Sequence, residues 1–391
     1  MNRKPPLSQT RYKAGKSVRA KEFRSLIDLG TASVKALVIE VGLKQTHVWG
    51  HGQSSLEGSY APDGRIVDRE ALVAACDAAL SAAEEMTRHT FGHKIVPDRS
   101  VWSVPAWLCQ GRSVTLEHRR PQPQRRISRR EWLALQARLE DAVGHLSGKP
   151  VDIVRAARVE NHNVTDATGL RGEMLALQAF VVSTDANLLT TLQKVAAALE
   201  LDPPTFVSQA RATAAGSPGD GVILDVGRWG TGVVVTRLAR LAGMAWVSLG
   251  GQSLYRTLAN GFGLAPAQLP SFCQAYVTDQ LSPEAMAAAN AALVDPVARW
   301  LDLVAEQLAT LAAETSLPHH IYLAGGASHL PAMLQEARRY PWMRRLSWPR
   351  HPRVYLWQAP TLRGLTDHSR RVWDASDLVR LGLARLATSL I

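Results

Sequence analysis

Residues 24–41 read RSLIDLGTASVKALVIEV, and the expected fold follows from their pattern. An apolar run ends at Asp28-Leu29-Gly30, a turn of small residues follows, and a β-branched run resumes at Val34. Two runs of this kind with a glycine-containing turn between them are typical of a β-hairpin. The pattern therefore predicts a strand, a tight turn and a second strand.

The same design recurs in the second half of the chain. Residues 221–238, GVILDVGRWGTGVVVTRL, carry an apolar run into Asp225-Val226-Gly227, a turn and a valine-rich run. A further strand is expected over 244–249. Two hairpins of one design predict an α/β protein with two similar halves that face each other.

The rest of the chain predicts helices and strands around these hairpins. Apolar residues at helical spacing predict helices over 68–90, 185–199 and 283–315, with Asp185 as an N-cap. Buried strands are expected over 100–106 and 321–323, and the second of these leads through a Gly-Gly turn into a helix.

A strand that ends in Asp-X-Gly before a small, hydroxyl-rich turn is suited to phosphate binding. Backbone N–H groups freed by glycine can approach a phosphate, and the carboxylate can order the water shell of a Mg²⁺ ion. A single DxGT is weak evidence, because most such tetrapeptides are ordinary hairpin turns. In the first hairpin the candidate residues are Asp28, Gly30, Thr31, Ala32, Ser33 and Lys35.

Three such loops in the right order are stronger evidence than one. The third is the Gly325-Gly326 turn, where glycine would let the backbone lie flat against a planar group such as an adenine–ribose unit. Taken alone, this turn is more typical of a helix entry than of a ligand site.

With these loops the sequence resembles the actin/Hsp70/sugar-kinase superfamily and, within it, the bacterial cell-division actin homologues of the FtsA family, over nearly the whole chain after Phe23. The resemblance implies an α/β, actin-like (ribonuclease H-like) duplicated two-lobed fold with an inserted FtsA-type 1C subdomain. By this resemblance, residues 28–35 would form the first phosphate loop and the Gly-Gly turn would form the adenosine loop. The expected cofactors are ATP and Mg²⁺. Asp28 and Asp225 would hold the Mg²⁺ through water. The second phosphate loop would comprise Asp225, Gly227, Arg228, Gly230 and Thr231.

Further matches to the family lie elsewhere in the chain. They are residues 58–68 (GSYAPDGRIVD), the helix end at 83–86 (AEEM), 119–131 (RRPQPQRRISRRE), 166–172 (DATGLRG), 359–367 (APTLRGLTD) and 375–384 (ASDLVRLGLA). The implied division is a disordered basic tail 1–22, lobe I over 23–100, the 1C-like insert 101–182, lobe I again over 183–215, lobe II over 216–350, and a return to lobe I over 351–391.

The second loop departs from the family pattern DIGGGTTD. Arg228 and Trp229 occupy the two middle glycine positions, Gly230 replaces the first threonine, and Gly232 replaces the final aspartate. Bulky residues remove the close backbone approach that glycine permits, although Arg228 could pair with a phosphate. We therefore expect weakened or altered ATP binding, and ATP hydrolysis that is slow or absent.

The C-terminal residues 378–391, LVRLGLARLATSLI, place Val379, Leu383, Leu386 and Leu390 along one side of a helix. The family typically continues to an amphipathic membrane-targeting helix, whereas here the stripe is better explained by core packing. A partner or the basic tail would then have to carry the protein to a membrane.

Charge is distributed unevenly along the chain, whose formal net charge is +11. Three basic segments, 1–22, 119–130 and 338–353, contain more positive charge than this total, so the rest of the chain is mildly acidic. We interpret the segments as places for contact with anionic lipid or protein partners. Without a nucleic-acid reader motif, nucleic acid is not an expected partner.

Other classes of site have no support. Cys76, Cys109 and Cys273 are too far apart for a disulfide framework or a zinc motif. The N-terminal segment has no apolar core of a signal peptide, and no apolar run reaches the roughly 18 residues of a membrane span. We therefore expect a cytoplasmic protein, with peripheral association at the inner face of the cell membrane as an option.

The resulting hypothesis is a nucleotide-binding scaffold of cell division. By resemblance it would bind an FtsZ-like tubulin homologue through its second half and other division proteins through the 1C-like insert, and it would self-associate. Two alternatives remain open. One is a PilM-like cytoplasmic platform of a type IV pilus system, and the other is a sugar-kinase-type phosphotransferase, for which no catalytic base is evident.

Overall fold

A computed structural model describes residues 22–42, 45–56, 65–160, 162–359, 364–371 and 373–390. The basic segment before Glu22, most of the GSYAPDGRIVD match and four residues of the APTLRGLTD match lie outside this range. None of the helices in the described part of the chain has the length and apolar character of a membrane span.

The elements follow one another in the chain as fifteen described strands and ten α-helices. The strands are β1 (Glu22–Leu29), β2 (Ser33–Val41), β3 (Thr46–Ser55), β4 (Ser100–Val104), β5 (Cys109–Arg119), β6 (Lys149–Val159), β7 (His162–Val164), β8 (Met174–Thr184), β9 (Thr205–Ser208), β10 (Gly221–Val226), β11 (Thr231–Arg237), β12 (Arg240–Val247), β13 (His320–Ala324), β14 (Arg353–Leu356) and β15 (Leu365–Asp367). The helices are α1 (Arg69–Thr90), α2 (Arg129–Gly144), α3 (Ala186–Ala198), α4 (Gln209–Gly216), α5 (Gly251–Gly261), α6 (Leu269–Val277), α7 (Pro283–Glu314), α8 (Pro331–Arg339), α9 (Trp342–Arg345) and α10 (Leu378–Leu386).

The two predicted hairpins are present and form the centres of two sheets that share the same topology over five strands, with β15 as an extra edge strand in lobe I. In lobe I the strand order is β15-β3-β2-β1-β4-β9, and in lobe II it is β12-β11-β10-β13-β14. In each sheet the strand that carries the Asp-X-Gly pairs antiparallel with its hairpin partner and parallel with a strand from further along the chain. The repeated sequence pattern therefore reflects a duplicated structural unit.

Helices cover both faces of the lobe I sheet. α1 and α3 pack on one face, and α4 and α10 pack on the other. The helix α1 begins at Asp68, whose side chain caps Ala71 N, and α3 begins at the predicted cap Asp185. The predicted helix bounds are confirmed to within a residue or two, because cap residues define them in the sequence.

The helices α4 and α10 lie between the two lobes. Residues of α10 pack on the lobe I sheet through Val379 and Leu383 and contribute Leu378 and Leu381 to a cluster with lobe II strands. A Cβ on Gly382 would collide with the backbone of α4, so the two helices are in close contact. The interpretation of the C-terminal stripe as core packing is thus confirmed for residues 378–386.

A third sheet, β5-β8-β6-β7, forms the insert with α2 and has its own apolar core. Sheet pairing places β4 in lobe I and β14 in lobe II. The insert sheet therefore begins with β5 at Cys109, later than the expected residue 101, and the lobe II sheet extends beyond residue 350. Both strands are short apolar runs whose partner in a sheet cannot be read from the sequence.

One arginine of the basic segment 119–130 is not part of a solvated surface. Arg120 is only 5% exposed and donates to Glu131 Oε1 at 2.6 Å. It also donates to Gly172 O at 2.8 Å and Arg125 O at 2.9 Å, so it holds the DATGLRG loop against the start of α2. This residue therefore stabilises the insert and is not available to a partner.

Candidate functional site

The aspartate of the first predicted phosphate loop is held in place by neighbouring elements. Asp28 Oδ1 accepts hydrogen bonds from Ser103 Oγ at 2.8 Å and Gln209 Nε2 at 3.2 Å. Gln209 also donates to Leu29 O at 2.8 Å, and its Oε1 accepts from Ala106 N at 2.9 Å. β4 and α4 thus fix the orientation of this carboxylate before any ligand arrives.

Lys35 lies opposite Asp28 in the β1–β2 register, so the two side chains share one face. Its Nζ donates to Ser376 O and lies 4.0 Å from Asp377 Oδ1. Burial and the charge of Arg380 lower the pKa of Lys35, while the nearby carboxylates oppose this effect. Because burial disfavours the charged ammonium, a bound phosphate at this position would stabilise it.

The two predicted phosphate loops contact each other directly. Arg228 N donates to Thr31 Oγ1 at 2.9 Å, and a Cβ on Gly227 would lie 2.9 Å from the same oxygen. On the other side of the second loop, Gly227 O and Arg228 O accept from Gly251 N and Gln252 N at 2.8 Å each. The backbone N–H of Arg228 is therefore already paired, which removes one donor that a phosphate would otherwise use.

Trp229 extends from the second loop to lobe I and packs against that lobe's core. Its ring makes an edge contact with Trp107 at a centroid distance of 6.4 Å, and Trp107 lies 5.7 Å from Trp246 of lobe II. A Cβ on Gly230 would collide with the Trp246 ring. The departure from the family pattern thus has a structural reason, because aromatic contacts between the lobes replace the glycine-rich turn.

Thr231, the thirteenth predicted site residue, does not line the cleft. Thr231 is fully buried, its hydroxyl donates to Leu249 O at 2.9 Å, and it accepts from Trp300 Nε1 at 2.9 Å. The tryptophan of α7 could not be foreseen from the loop sequence. Thr231 therefore holds the second loop on the lobe II core.

Asp225 and the Gly-Gly turn meet at the end of β10. A Cβ on Gly325 would lie 2.5 Å from Asp225 Oδ1, and Gly325 has a φ of +85°, so this position requires glycine. Asp225 lines the cleft and is partly exposed there, while its Oδ1 lies against the Gly325 backbone. Burial and the charge of Asp28 raise the pKa of Asp225 to about 6, and Lys35 opposes this rise.

These loops surround a cleft of about 800 Å³ between the lobes. Its size is in the range of small-molecule and cofactor sites. Beyond the loops the wall is formed by α5 and the segment after it, including Gln252, Tyr255, Arg256, Asn260 and Leu269. Nothing lies within 4 Å of a Cβ built on Gly326, which leaves open space beside the turn.

The structure brings together twelve of the thirteen predicted site residues. Those that line the cleft are Asp28, Gly30, Thr31, Ala32, Ser33, Lys35, Asp225, Gly227, Arg228, Gly230, Gly325 and Gly326. The described residues contain no group of three or more His, Cys, Asp or Glu placed to hold a metal ion. Two cleft carboxylates, Asp28 and Asp225, fit a Mg²⁺ ion held through water, which keeps several of its own waters.

Several cleft residues carried no signal in the sequence. Ser103, Gln209 and Ser376 contact the predicted residues from segments outside the three loops. Gln209 is 181 residues from Asp28 in the chain. Such contacts depend on the tertiary fold, so the only indication of them was that Ser103 lies in a predicted buried strand.

No model of a known protein family matches the sequence, and no curated protein matches it. Among solved structures, the chain is similar to one described as the PilM-PilN type IV pilus biogenesis complex, with 15% identity, 95% of this chain and 99% of that chain covered, and a TM-score of 0.58. It is also similar to the ethanolamine utilization protein EutJ from Carboxydothermus hydrogenoformans, with 13% identity, 94% and 90% coverage and a TM-score of 0.48. A third is (R)-2-hydroxyglutaryl-CoA dehydratase component A of Acidaminococcus fermentans, with 9% identity, 95% and 99% coverage and a TM-score of 0.42.

The similarity to PilM extends over both lobes and the insert and shows the fold. The chain is an α/β protein with an actin-like two-lobed architecture, as the sequence resemblance implied. At this level of identity the similarity is one of fold, and function has to be argued from the site.

Proposed function

We propose that the protein is a nucleotide-binding scaffold that acts by binding and does not turn over ATP as an enzyme. One observation carries this proposal: three loops from two duplicated lobes converge on one cleft. There they present two carboxylates, Asp28 and Asp225, one buried ammonium, Lys35, and a Gly-Gly turn beside open space. The nucleotide would place its phosphates between the loops, and Mg²⁺ would neutralise phosphate charge when bound.

The second loop argues against efficient hydrolysis. The Arg228 N–H already donates to Thr31, and the Thr231 hydroxyl donates to a backbone carbonyl of lobe II. Position 232 is glycine, where the FtsA-family pattern has an aspartate. Asp28 and Asp225 are the carboxylates that line the cleft in the described chain, and Mg²⁺ would engage both. No third carboxylate is left there to activate a water or a sugar hydroxyl, which disfavours a phosphotransferase.

A PilM-like platform is the version of this scaffold that we favour. The solved PilM structure contains PilN, so a PilN-type protein is the partner to test, and the platform would act at the cytoplasmic side of a membrane. The similarity covers almost all of both chains, including the insert. Self-association and contacts through the insert belong to the same proposal.

An FtsA-like division scaffold is the second candidate, supported by the sequence matches on α1 and in DATGLRG. Both matches also have local structural explanations. Glu84 is mostly buried and pairs with Lys94 at 3.2 Å, and the DATGLRG loop accepts the hydrogen bond from Arg120. The residues therefore serve folding whether or not the partner is an FtsZ-like protein.

Partner binding distinguishes the PilM-like platform from the FtsA-like division scaffold. The full chain should be immobilised and exposed in parallel to the PilN-type protein and the FtsZ-like protein of the same genome, with and without ATP and Mg²⁺. Saturable binding of the first alone supports the platform, and binding of the second alone supports the division scaffold. Rapid Mg²⁺-dependent ATP turnover would contradict both versions.

A further inference from the structure

The end of the lobe II sheet opposite the cleft forms a basic surface, which we call the basal surface. It comprises the four loops 217–220, 237–240, 316–320 and 340–353. Register fixes their position: Asp225 pairs with Ala324 at the cleft end, whereas Arg237 pairs with Arg240 and His320 with Arg353 at the other end. All four loops therefore lie at one end of the sheet, away from the nucleotide cleft.

The basal surface carries mostly positively charged residues. Its loops contain six arginines and three histidines against a single acidic residue, Asp220. The Asp220 carboxylate is engaged, because it accepts a hydrogen bond from Ala239 N at 3.1 Å. Among the basic residues, Arg344, Arg350 and Arg353 are exposed and form no ion pair with any described residue.

Part of this charge is gathered in one place. Arg353 N donates to His319 O at 2.8 Å, and the rings of His319 and His320 lie 4.0 Å apart. Burial, together with the charges of His320, Arg350 and Arg353, lowers the pKa of His319. The positive charge at this place therefore comes from Arg350 and Arg353, which lie beside the two histidine rings.

The hairpin tip of the basal surface exposes an apolar residue at a conformational cost. Leu238 is 64% exposed, and both Leu238 and Ala239 have positive φ, +51° and +56°. Such turns favour Asn and Gly, because other residues are strained there. A leucine that is strained and exposed contributes little to folding, and features of this kind cluster at functional sites.

A second apolar residue projects from another loop of the same surface. Met343 is 47% exposed, and the buried rings of Trp342 and Trp348 fix its segment to the lobe II core. Arg344 and Arg345 follow it directly in the chain, as Arg237 and Arg240 flank the hairpin tip. Each exposed apolar side chain is thus accompanied by arginines.

We propose that the basal surface binds an anionic lipid bilayer, with Leu238 and Met343 in the interfacial region and the arginines against lipid phosphates. Charge complementarity requires an anionic partner, and isolated apolar side chains between cations are typical of interfacial membrane contact. β11 and β14 are three strand spacings apart, roughly 15 Å, so the two apolar residues stand on separate projections. A flat, fluid bilayer accommodates separated projections more readily than a folded protein surface does.

The test is flotation of the full chain with vesicles of phosphatidylcholine alone or mixed with phosphatidylglycerol. Binding should require the anionic lipid and fall as salt increases. The double variant Arg350→Gln/Arg353→Gln should weaken binding to the anionic vesicles on the order of 20-fold, because each arginine contributes about fivefold. The matched control is Arg126→Gln/Arg130→Gln, which removes the same charge from exposed positions of the insert. It should change binding by less than about twofold.

Leu238→Asn/Ala239→Gly tests the apolar contact without endangering the fold. This pair suits the turn better than the native residues, so the melting temperature should stay equal or rise, while vesicle binding should fall about tenfold. Equal loss in the insert control would show that general charge or the basic N-terminal segment drives binding, and would overturn the proposal. Absence of anionic-lipid binding, or binding of polyglutamate with the same dependence on Arg350 and Arg353 but none on Leu238, would overturn it as well.

Discussion

The backbone N–H of Arg228 donates a 2.9 Å hydrogen bond to Thr31 Oγ1, so the two predicted phosphate loops of the cleft are bonded to each other. The residues belong to different lobes and are 197 positions apart in the chain. A nucleotide that uses the Arg228 N–H must first replace this bond. Nucleotide binding and the relative position of the two loops should therefore be coupled.

Thr31→Val should lower stability in the absence of nucleotide. The substitution keeps the side-chain shape but leaves the Arg228 N–H without its partner, which costs about 1–3 kcal/mol. Denaturant unfolding measures the change, and Thr90→Val offers a comparison at a hydroxyl that does not join the lobes. An unchanged stability of Thr31→Val would show that water replaces the bond at no cost.

Trp229→Ala should destabilise the protein by about 2–3 kcal/mol. This loss is smaller than that expected for truncation of a fully buried tryptophan, because the Trp229 ring is only half-buried. Trp229→Phe should retain most of this stability through the edge contact with Trp107. Both can be measured from unfolding midpoints. If Trp229→Ala and Trp229→Phe lowered stability equally, the aromatic contact between the lobes would not contribute to stability.

Gly232→Asp should strengthen the dependence of nucleotide binding on Mg²⁺. Gly232 pairs with Asp225 in the β10–β11 register, and a Cβ there would make only ordinary contacts at 3.8 Å. A third cleft carboxylate adds an oxygen ligand for the ion or its waters. Titrations of ATP with and without Mg²⁺ should show a larger ratio of affinities than the native chain gives, and an unchanged ratio would contradict the assigned metal position.

Asp225 should make stability depend on pH between about 4 and 6. Its pKa is raised from 3.8 to about 6 in the folded state, so the folded protein binds the proton more tightly than the unfolded chain. Its contribution therefore favours folding at low pH and is lost as pH rises through 6. Asp225→Asn should remove this dependence and gain stability relative to the native chain above pH 6. Parallel pH profiles of the two proteins would contradict the enclosed position of the carboxyl group.

Much of the fold could be predicted because its signals are local. The Asp-X-Gly hairpins, the capped helices and the Gly-Gly turn each depend on residues within a few positions of one another. The similarity of the two hairpins then indicated the duplication that both sheets show.

The site could be predicted only in part, because its supporting contacts join distant segments. Gln209 holds Asp28, Trp300 removes Thr231 from the cleft, and Trp229 reaches Trp107 in the other lobe. Arg380 shows the same limit: it lies off the apolar stripe of α10, yet it is buried and paired with Asp377. Periodicity cannot distinguish a buried, paired charge from an exposed one.

Calorimetric titration of the full chain with ATP and Mg²⁺, with phosphate release followed on the same samples, shows whether the cleft binds nucleotide without turning it over. Asp28→Asn removes the charge but keeps the shape, and Asp295→Asn provides the same change at an exposed position on α7. We predict one saturable site that Asp28→Asn weakens at least tenfold and Asp295→Asn leaves intact, with negligible phosphate release. Absence of binding by the native chain, or rapid phosphate release, would contradict a nucleotide-binding scaffold.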